Sequence, residues 1–151
     1  MNHHAGQVKN RNGIEYTIQS IPECLQLYQN WSEECPTDKH SIGCIADEVR
    51  HTIETDYTTR VKCTASSVFT ITPTQGMPPI QINQPYVYRA FYNCKHSGLF
   101  HIKHNTTQKK YTFTVDRNML VVLHDPTHEY SVGCPYSNED RTVFSFCFQI
   151  A

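Results

Sequence analysis

Phe144, Phe146 and Phe148 alternate with Val143, Ser145 and Cys147. An alternation of period two is the mark of a β-strand, whose successive side chains point to opposite faces. Three phenylalanines on one side of such a strand require a deeply buried face, so the chain must build a sheet with something packed on it. The same character holds from residue 57 onward: β-branched and aromatic residues dominate, and Pro, Gly and Asn punctuate them at short intervals. The pattern predicts strands near 58–63, 67–72, 86–94, 98–104, 110–115, 119–124, 129–134 and 142–150. Eight short strands at regular spacing predict a mainly β chain, an antiparallel barrel or a sandwich. The run from Pro73 to Pro79, with Pro78 beside it, cannot continue a central strand, because a proline has no N–H to donate. It reads as a rim loop.

The amino-terminal third is different. Ile21, Leu25, Tyr28 and Trp31, then Ile42, Ile45, Val49 and Ile53, recur at intervals of three and four. That spacing predicts two short helices within 21–56, separated by Pro36-Thr37-Asp38. Residues 1–12 are polar and aperiodic and read as a tail. The remaining stretch, 13–151, reads as one domain, since 151 residues suit a single ordinary domain. Leu, Ile, Val and Phe together number 33, enough for a modest core. No internal repeat or heptad pattern is present, which excludes a solenoid or propeller.

Charge narrows the function classes. The formal net charge is −1, so no overall cationic field exists to neutralise phosphates, and nucleic-acid binding is not expected. No apolar run approaches the length of a membrane span. Locally the halves differ: residues 15–56 carry nine acids against Lys39 and Arg50, whereas residues 85–117 carry six bases against Asp116. The basic run Arg89, Lys95, Lys103, Lys109 and Lys110 is of the kind that frames an anionic headgroup, steers an acidic partner, or keeps edge strands soluble.

The seven cysteines are Cys24, Cys35, Cys44, Cys63, Cys94, Cys134 and Cys147. None form the close pairs of a zinc ribbon or a thioredoxin site. Together with two glycosylation sequons, Asn30-Trp31-Ser32 and Asn105-Thr106-Thr107, they predict a secreted, extracellular protein held by disulfides, with one thiol left over. The connectivity stays open.

The stretch from Met119 to Cys134, with Asp125 in its turn and Tyr130 opening the next strand, followed by Arg141 to Ile150, resembles the last two barrel strands of a lipocalin. The resemblance extends weakly over residues 111–150 and implies a β-barrel that holds a small ligand. Gly13-Ile14-Glu15-Tyr16 departs from that family's opening Gly-x-Trp, and no closing helix follows the last strand.

Catalytic signatures are absent from the residue pattern. No Gly-x-Ser-x-Gly elbow, phosphate loop or local Cys-His signature occurs. His124 and His128-Glu129 have metal-ligand types, but Asp125-Pro126 forbids the continuous helix that an HExxH site needs. His101 and His104, three apart on one strand, face opposite sides. Met1-Asn2-His3 is a chelating arrangement only if the amino terminus is native. No metal or other cofactor is therefore expected. Tyr86, Tyr88, Phe100, Phe113 and Tyr130 are the candidate ligand-contacting aromatics. The sequence taken alone predicts a secreted, non-catalytic binding protein for a small apolar or amphipathic ligand; the alternative is a secreted module that binds an extracellular protein through its surface.

Overall fold

A computed structural model describes residues 8–11, 14–20, 38–72, 87–95, 97–104, 110–124, 128–135 and 140–151. One helix, α1 (Lys39–Tyr57), is found among them. Nine strands complete the described structure: β1 (Lys9–Arg11), β2 (Ile14–Ser20), β3 (Val61–Ile71), β4 (Tyr88–Lys95), β5 (Gly98–His104), β6 (Lys110–Val115), β7 (Met119–His124), β8 (His128–Pro135) and β9 (Arg141–Ile150).

Helix α1 begins where a carboxylate can take up orphan N–H groups. Asp38 is the N-cap: its Oδ2 accepts from the Ser41 backbone N–H at 3.1 Å and its Oδ1 from the Ser41 hydroxyl at 2.6 Å. These two bonds, the hydroxyl's first, hold the Asp38 carboxyl below its ordinary range. The helix ends at Thr58 in the left-handed region, φ 49°. Glu54 ties this end to the sheet, accepting from Arg50 Nη1 at 2.8 Å and from the Val61 backbone N–H at 3.0 Å. Ile45, Val49 and Ile53, four apart, are the buried stripe. The expected break at Pro36-Thr37-Asp38 thus coincides with a helix start, while the helix expected before it lies outside the described residues, as does the Pro73–Pro79 loop.

The strands form two antiparallel sheets. The larger has six strands in the order β1-β2-β7-β4-β9-β3, the smaller three in the order β6-β5-β8. The expected strands 58–63 and 67–72 are one strand, β3, with a register shift between Cys63 and Ala65. That bulge lets the strand run on where a regular ladder would break. β1 and β2 are additions to the sequence reading. Alternation in Ile14–Ser20 is short, and its ladder partner β7 lies a hundred residues away.

The large sheet buries both faces. On its outer face Phe144, Phe146, Phe148, Tyr88, Ala90, Tyr92, Leu120 and Val122 pack under Ile45, Val49 and Ile53 of α1. On its inner face Phe91, Val121, Leu123, Val143 and Ile71 meet Phe100 of the small sheet, with the Phe91 and Phe100 rings 4.8 Å apart in an edge-on arrangement. This two-sheet sandwich corrects the barrel expectation. The large sheet ends in β1 and β3 and does not close on itself. The three strands read as a barrel's closing meander do not pair in sequence: β7 bonds β2 and β4, β8 bonds β5, and β9 bonds β4 and β3. Succession in the chain suggested neighbours; the chain instead crosses between sheets at each step.

The disulfide expectation is also corrected. No disulfide joins Cys44, Cys63, Cys94 or Cys147 to one another, and the thiols of Cys44, Cys63 and Cys147 are free. Cys63 stands opposite Phe148 in register, on the outer face, whereas Cys147 follows on the inner face. Adjacent strands bring them close, but the pleat turns them apart. Cys24, Cys35 and the side chain of Cys134 lie outside the described residues, as do both sequon asparagines, Asn30 and Asn105.

Candidate functional site

β4 and β9 lie side by side in the middle of the large sheet, Arg89 opposite Cys147 and Phe91 opposite Ser145. Period two sends Arg89, Phe91 and Asn93 of β4 to the face that carries Arg141, Val143, Ser145 and Cys147 of β9. These are the residues that look toward the small sheet. Four of them are polar and nevertheless buried: Arg89, Asn93 and Arg141 are each 1% exposed, and Ser145 is 5% exposed. A buried guanidinium is uncommon, because the charge must give up its water.

Each polar group is held in place. Arg141 bridges the sheets: its Nε donates to Asn93 Oδ1 at 2.9 Å and its Nη1 to the Leu99 carbonyl of β5 at 2.8 Å. Asn93 is braced in turn, its amide donating to the carbonyls of Val115 and Asp116 at 3.2 and 2.9 Å. Toward the other end of the strand pair, Arg89 Nη2 donates to Ser145 Oγ at 3.3 Å, and its Cζ lies 4.8 Å from the centre of the Phe91 ring. Beside it the Cys147 thiol is pushed up by burial, against the pull of the Arg89 charge. The inner wall therefore carries two buried guanidinium groups held by protein acceptors.

A second group of polar residues sits on the outer face near the end of α1. His124 Nδ1 is 3.1 Å from Glu15 Oε2, its ring stacks on Tyr88 at 4.4 Å, and Tyr57 meets both rings at 5.7 and 4.8 Å. Burial pushes both phenols up, Tyr57 the more strongly. Gln19 donates to Asp56 close by, fastening β2 to the helix. The contacts join β2, β7, β4 and α1 into one unit.

Two of the sequence-predicted ligand residues lie apart. Tyr88 is on the outer face and Phe100 in the inner core. The large sheet stands between them. Phe113 pairs with Phe100 in backbone register and Tyr130 with Ile102, which places both on the small sheet, while Tyr86 lies outside the described residues. Arg89, read as one of a basic run that frames an anionic headgroup, steers an acidic partner or keeps edge strands soluble, is interior. The signal was available: Arg89, Phe91 and Asn93 share one parity of a strand whose other parity is Tyr88, Ala90 and Tyr92. Arg141 carried no such flag, because it opens its strand.

Among solved structures the fold matches SnoK, a non-heme alpha ketoglutarate dependent carbocyclase from nogalamycin biosynthesis, with a TM-score of 0.58, 8% identity, 91% of this chain and 64% of that one covered. The non-heme monooxygenase ThoJ, in its Ni complex, matches with a TM-score of 0.55, 9% identity and coverage of 85% and 66%. A prolyl-4-hydroxylase of Pseudomonas putida matches with a TM-score of 0.58, 9% identity and coverage of 90% and 88%. The fold is a two-sheet jelly roll shared with these structures. It is not a lipocalin barrel. At this identity the likeness is one of fold alone, and the chain spans less than two thirds of the length of the first two. No family model matches the sequence, and no curated protein matches it. The lipocalin resemblance, and with it the reading of a transport barrel, is overturned by these neighbours and by the open sheet order.

Proposed function

We propose that this chain is an enzyme acting on a small carboxylate-bearing molecule held between its two sheets, with Arg141 and Arg89 of the inner wall as its cationic groups. The observation that carries the reading is the pair of guanidinium groups, each 1% exposed, on the face that looks into the sandwich. A wall meant only for packing would be filled more favourably by apolar side chains of the same volume. The fold supports the reading, since its neighbours are enzymes of small-molecule and peptidyl oxidation and one is named for alpha-ketoglutarate, a dicarboxylate. The expectation of a non-catalytic carrier leaned on a lipocalin barrel and falls with it, and that of a secreted module binding through its surface is set aside on the enzymatic neighbours.

The same neighbours raise the question of a metal. Non-heme iron oxygenases hold the ion with two histidines and one carboxylate. Among the described residues no three His, Cys, Asp or Glu side chains come together. The one described histidine–carboxylate contact, His124 with Glu15, is on the outer face, away from the inner wall. The described residues do not fit such a centre.

What these residues do is bind and orient. Arg141, fixed by Asn93 and Leu99, presents a guanidinium of set direction, and Ser145 and Phe91 hold that of Arg89. The test is equilibrium dialysis of the full chain against labelled 2-oxoglutarate, with acetate and phosphate as competitors. One bound dicarboxylate per chain is expected, weakened by about tenfold or more in Arg141→Met. If neither 2-oxoglutarate nor another small carboxylate is retained, the reading fails.

A further inference from the structure

We infer that His40 and Cys44 of α1 form a two-donor binding site for Zn(II) on the surface of the helix, close to its start. Because α1 covers the outer face of the large sheet, the pair stands apart from the inner wall and does not depend on the function proposed above. The residue pattern predicts no metal, since Asp125-Pro126 breaks the helix that a pair of ligands would need; α1 supplies such a helix elsewhere.

Helical spacing brings the two donors together. Residues four apart stand one above the other on an α-helix, and His40 Nε2 lies 3.8 Å from Cys44 Sγ. Zinc binds an imidazole nitrogen at about 2.0–2.1 Å and a thiolate sulfur at about 2.3 Å, so an ion bonded to both would subtend an N–Zn–S angle of about 120°. A closure of about 0.3 Å brings that angle to the tetrahedral value. As a hydrogen bond the same contact is weak, because a thiol is a poor donor. The donor types are those that suit zinc and pass over magnesium and calcium, and the spacing is the one by which a helix offers two ligands to one ion.

The surroundings favour an incoming cation. Asp38 precedes the pair, and Asp47 and Glu48 follow Cys44 by one turn, at three and four residues. The Asp47 side chain is 78% exposed and its contact with Arg50 is a loose one of 3.9 Å. The frame is already ordered: the Asp38 cap fixes the first turn through Ser41, and the buried Ile45 and Val49 anchor the turns that follow. Little freedom is left to lose on binding. A Cβ placed on Gly43, beside Cys44 in the chain, would meet no described atom within 4 Å, which leaves room for water on the ion. As the sulfur–zinc bond forms, the Cys44 thiol gives its proton to solvent, and His40 binds through the lone pair of its neutral ring.

The test uses Co(II) as a spectroscopic substitute for Zn(II), titrated into the full chain under reducing conditions, after which Zn(II) is added to displace it. Expected is a thiolate-to-cobalt charge-transfer band in the near ultraviolet that Zn(II) abolishes. The band should vanish in Cys44→Ser, and the affinity should fall by about tenfold or more in His40→Ala. Cys63→Ser and His51→Ala, which change the same donor types outside the pair, should keep the affinity within about twofold. Cys44→His retains a donor four residues from His40; it should lose the band yet still hold Zn(II) against a chromophoric chelator, and circular dichroism on every variant separates lost binding from lost folding. A native chain without the band overturns the inference, as does a band that persists undiminished in Cys44→Ser and His40→Ala. Either of those results leaves the proposed function standing, since retention of 2-oxoglutarate is read separately by dialysis.

Discussion

The two faces of the large sheet are built by the same strands and do different work. On the outer face, β4 and β9 contribute Tyr88, Ala90, Tyr92, Phe144, Phe146 and Phe148, a solid aromatic layer under α1. On the inner face the intervening residues are Arg89, Phe91, Asn93, Val143, Ser145 and Cys147, polar groups set among apolar ones. A strand cannot shift by one residue without exchanging the two sets. The outer layer thus fixes the register that positions the inner polar groups, and chemistry on one side is held in place by packing on the other.

Truncating the outer layer should break this contrast most severely. Phe146→Ala removes a ring that is 0% exposed and lies between Phe144, on which it stacks, and Phe148, to which it is tilted. It is expected to cost about 3–5 kcal/mol, measured by urea denaturation with a matched slope. The inner wall should respond in the opposite proportion. Arg141→Met removes the donors to Asn93 Oδ1 and the Leu99 carbonyl and should cost about 1–3 kcal/mol, while affinity for 2-oxoglutarate falls by about tenfold or more. Should Phe146→Ala instead abolish binding in a chain that is still fully folded, the separation of roles between the faces is wrong.

The sequence was legible where information is local. The phenylalanine alternation in β9 is a property of six adjacent residues, and it placed a buried strand correctly; β5, β6 and β7 were likewise marked by composition and turns. Pairing was not legible. β7, β8 and β9 follow one another in the chain but alternate between sheets, and nothing in a Pro- or Asp-containing turn says whether the next strand returns beside its predecessor or crosses over. The site was hidden for a related reason. Arg89 looks like a surface charge until β9 is known to lie beside it with Ser145 and Cys147, and that neighbour is more than fifty residues away.

Smaller perturbations sharpen the comparison. Ser145→Ala removes an acceptor of Arg89, and since that bond is long at 3.3 Å the expected loss is about 1 kcal/mol, with a shift in ligand affinity that an outer-face change of equal stability cost does not produce. The slightest effect concerns the cap of α1. Because the folded state holds the Asp38 carboxyl below its ordinary value of 3.8, the cap stabilises the helix fully above that value and ceases to do so as pH falls through the lowered one. Hydrogen exchange at the first turn of α1 should therefore rise on acidification below about pH 4 in the native chain, and Asp38→Asn, which keeps an acceptor without the charge, should show no such step at that turn.

The position of β9 has a consequence for how the molecule is made. Among the described strands it comes last in chain order, yet it sits inside the large sheet, between β4 and β3, and is the described strand that β3 pairs with there. During synthesis β3 emerges early and must wait some seventy residues, several seconds at ribosomal speed, before the strand that pairs with it leaves the exit tunnel. Over that interval its backbone donors and acceptors are open to any other extended chain. The polar character of its middle, Thr64-Ala65-Ser66-Ser67, together with the bulge, makes it a poor template for such pairing, so a segment that looks weakly structured in the finished fold protects the nascent chain before there is a fold.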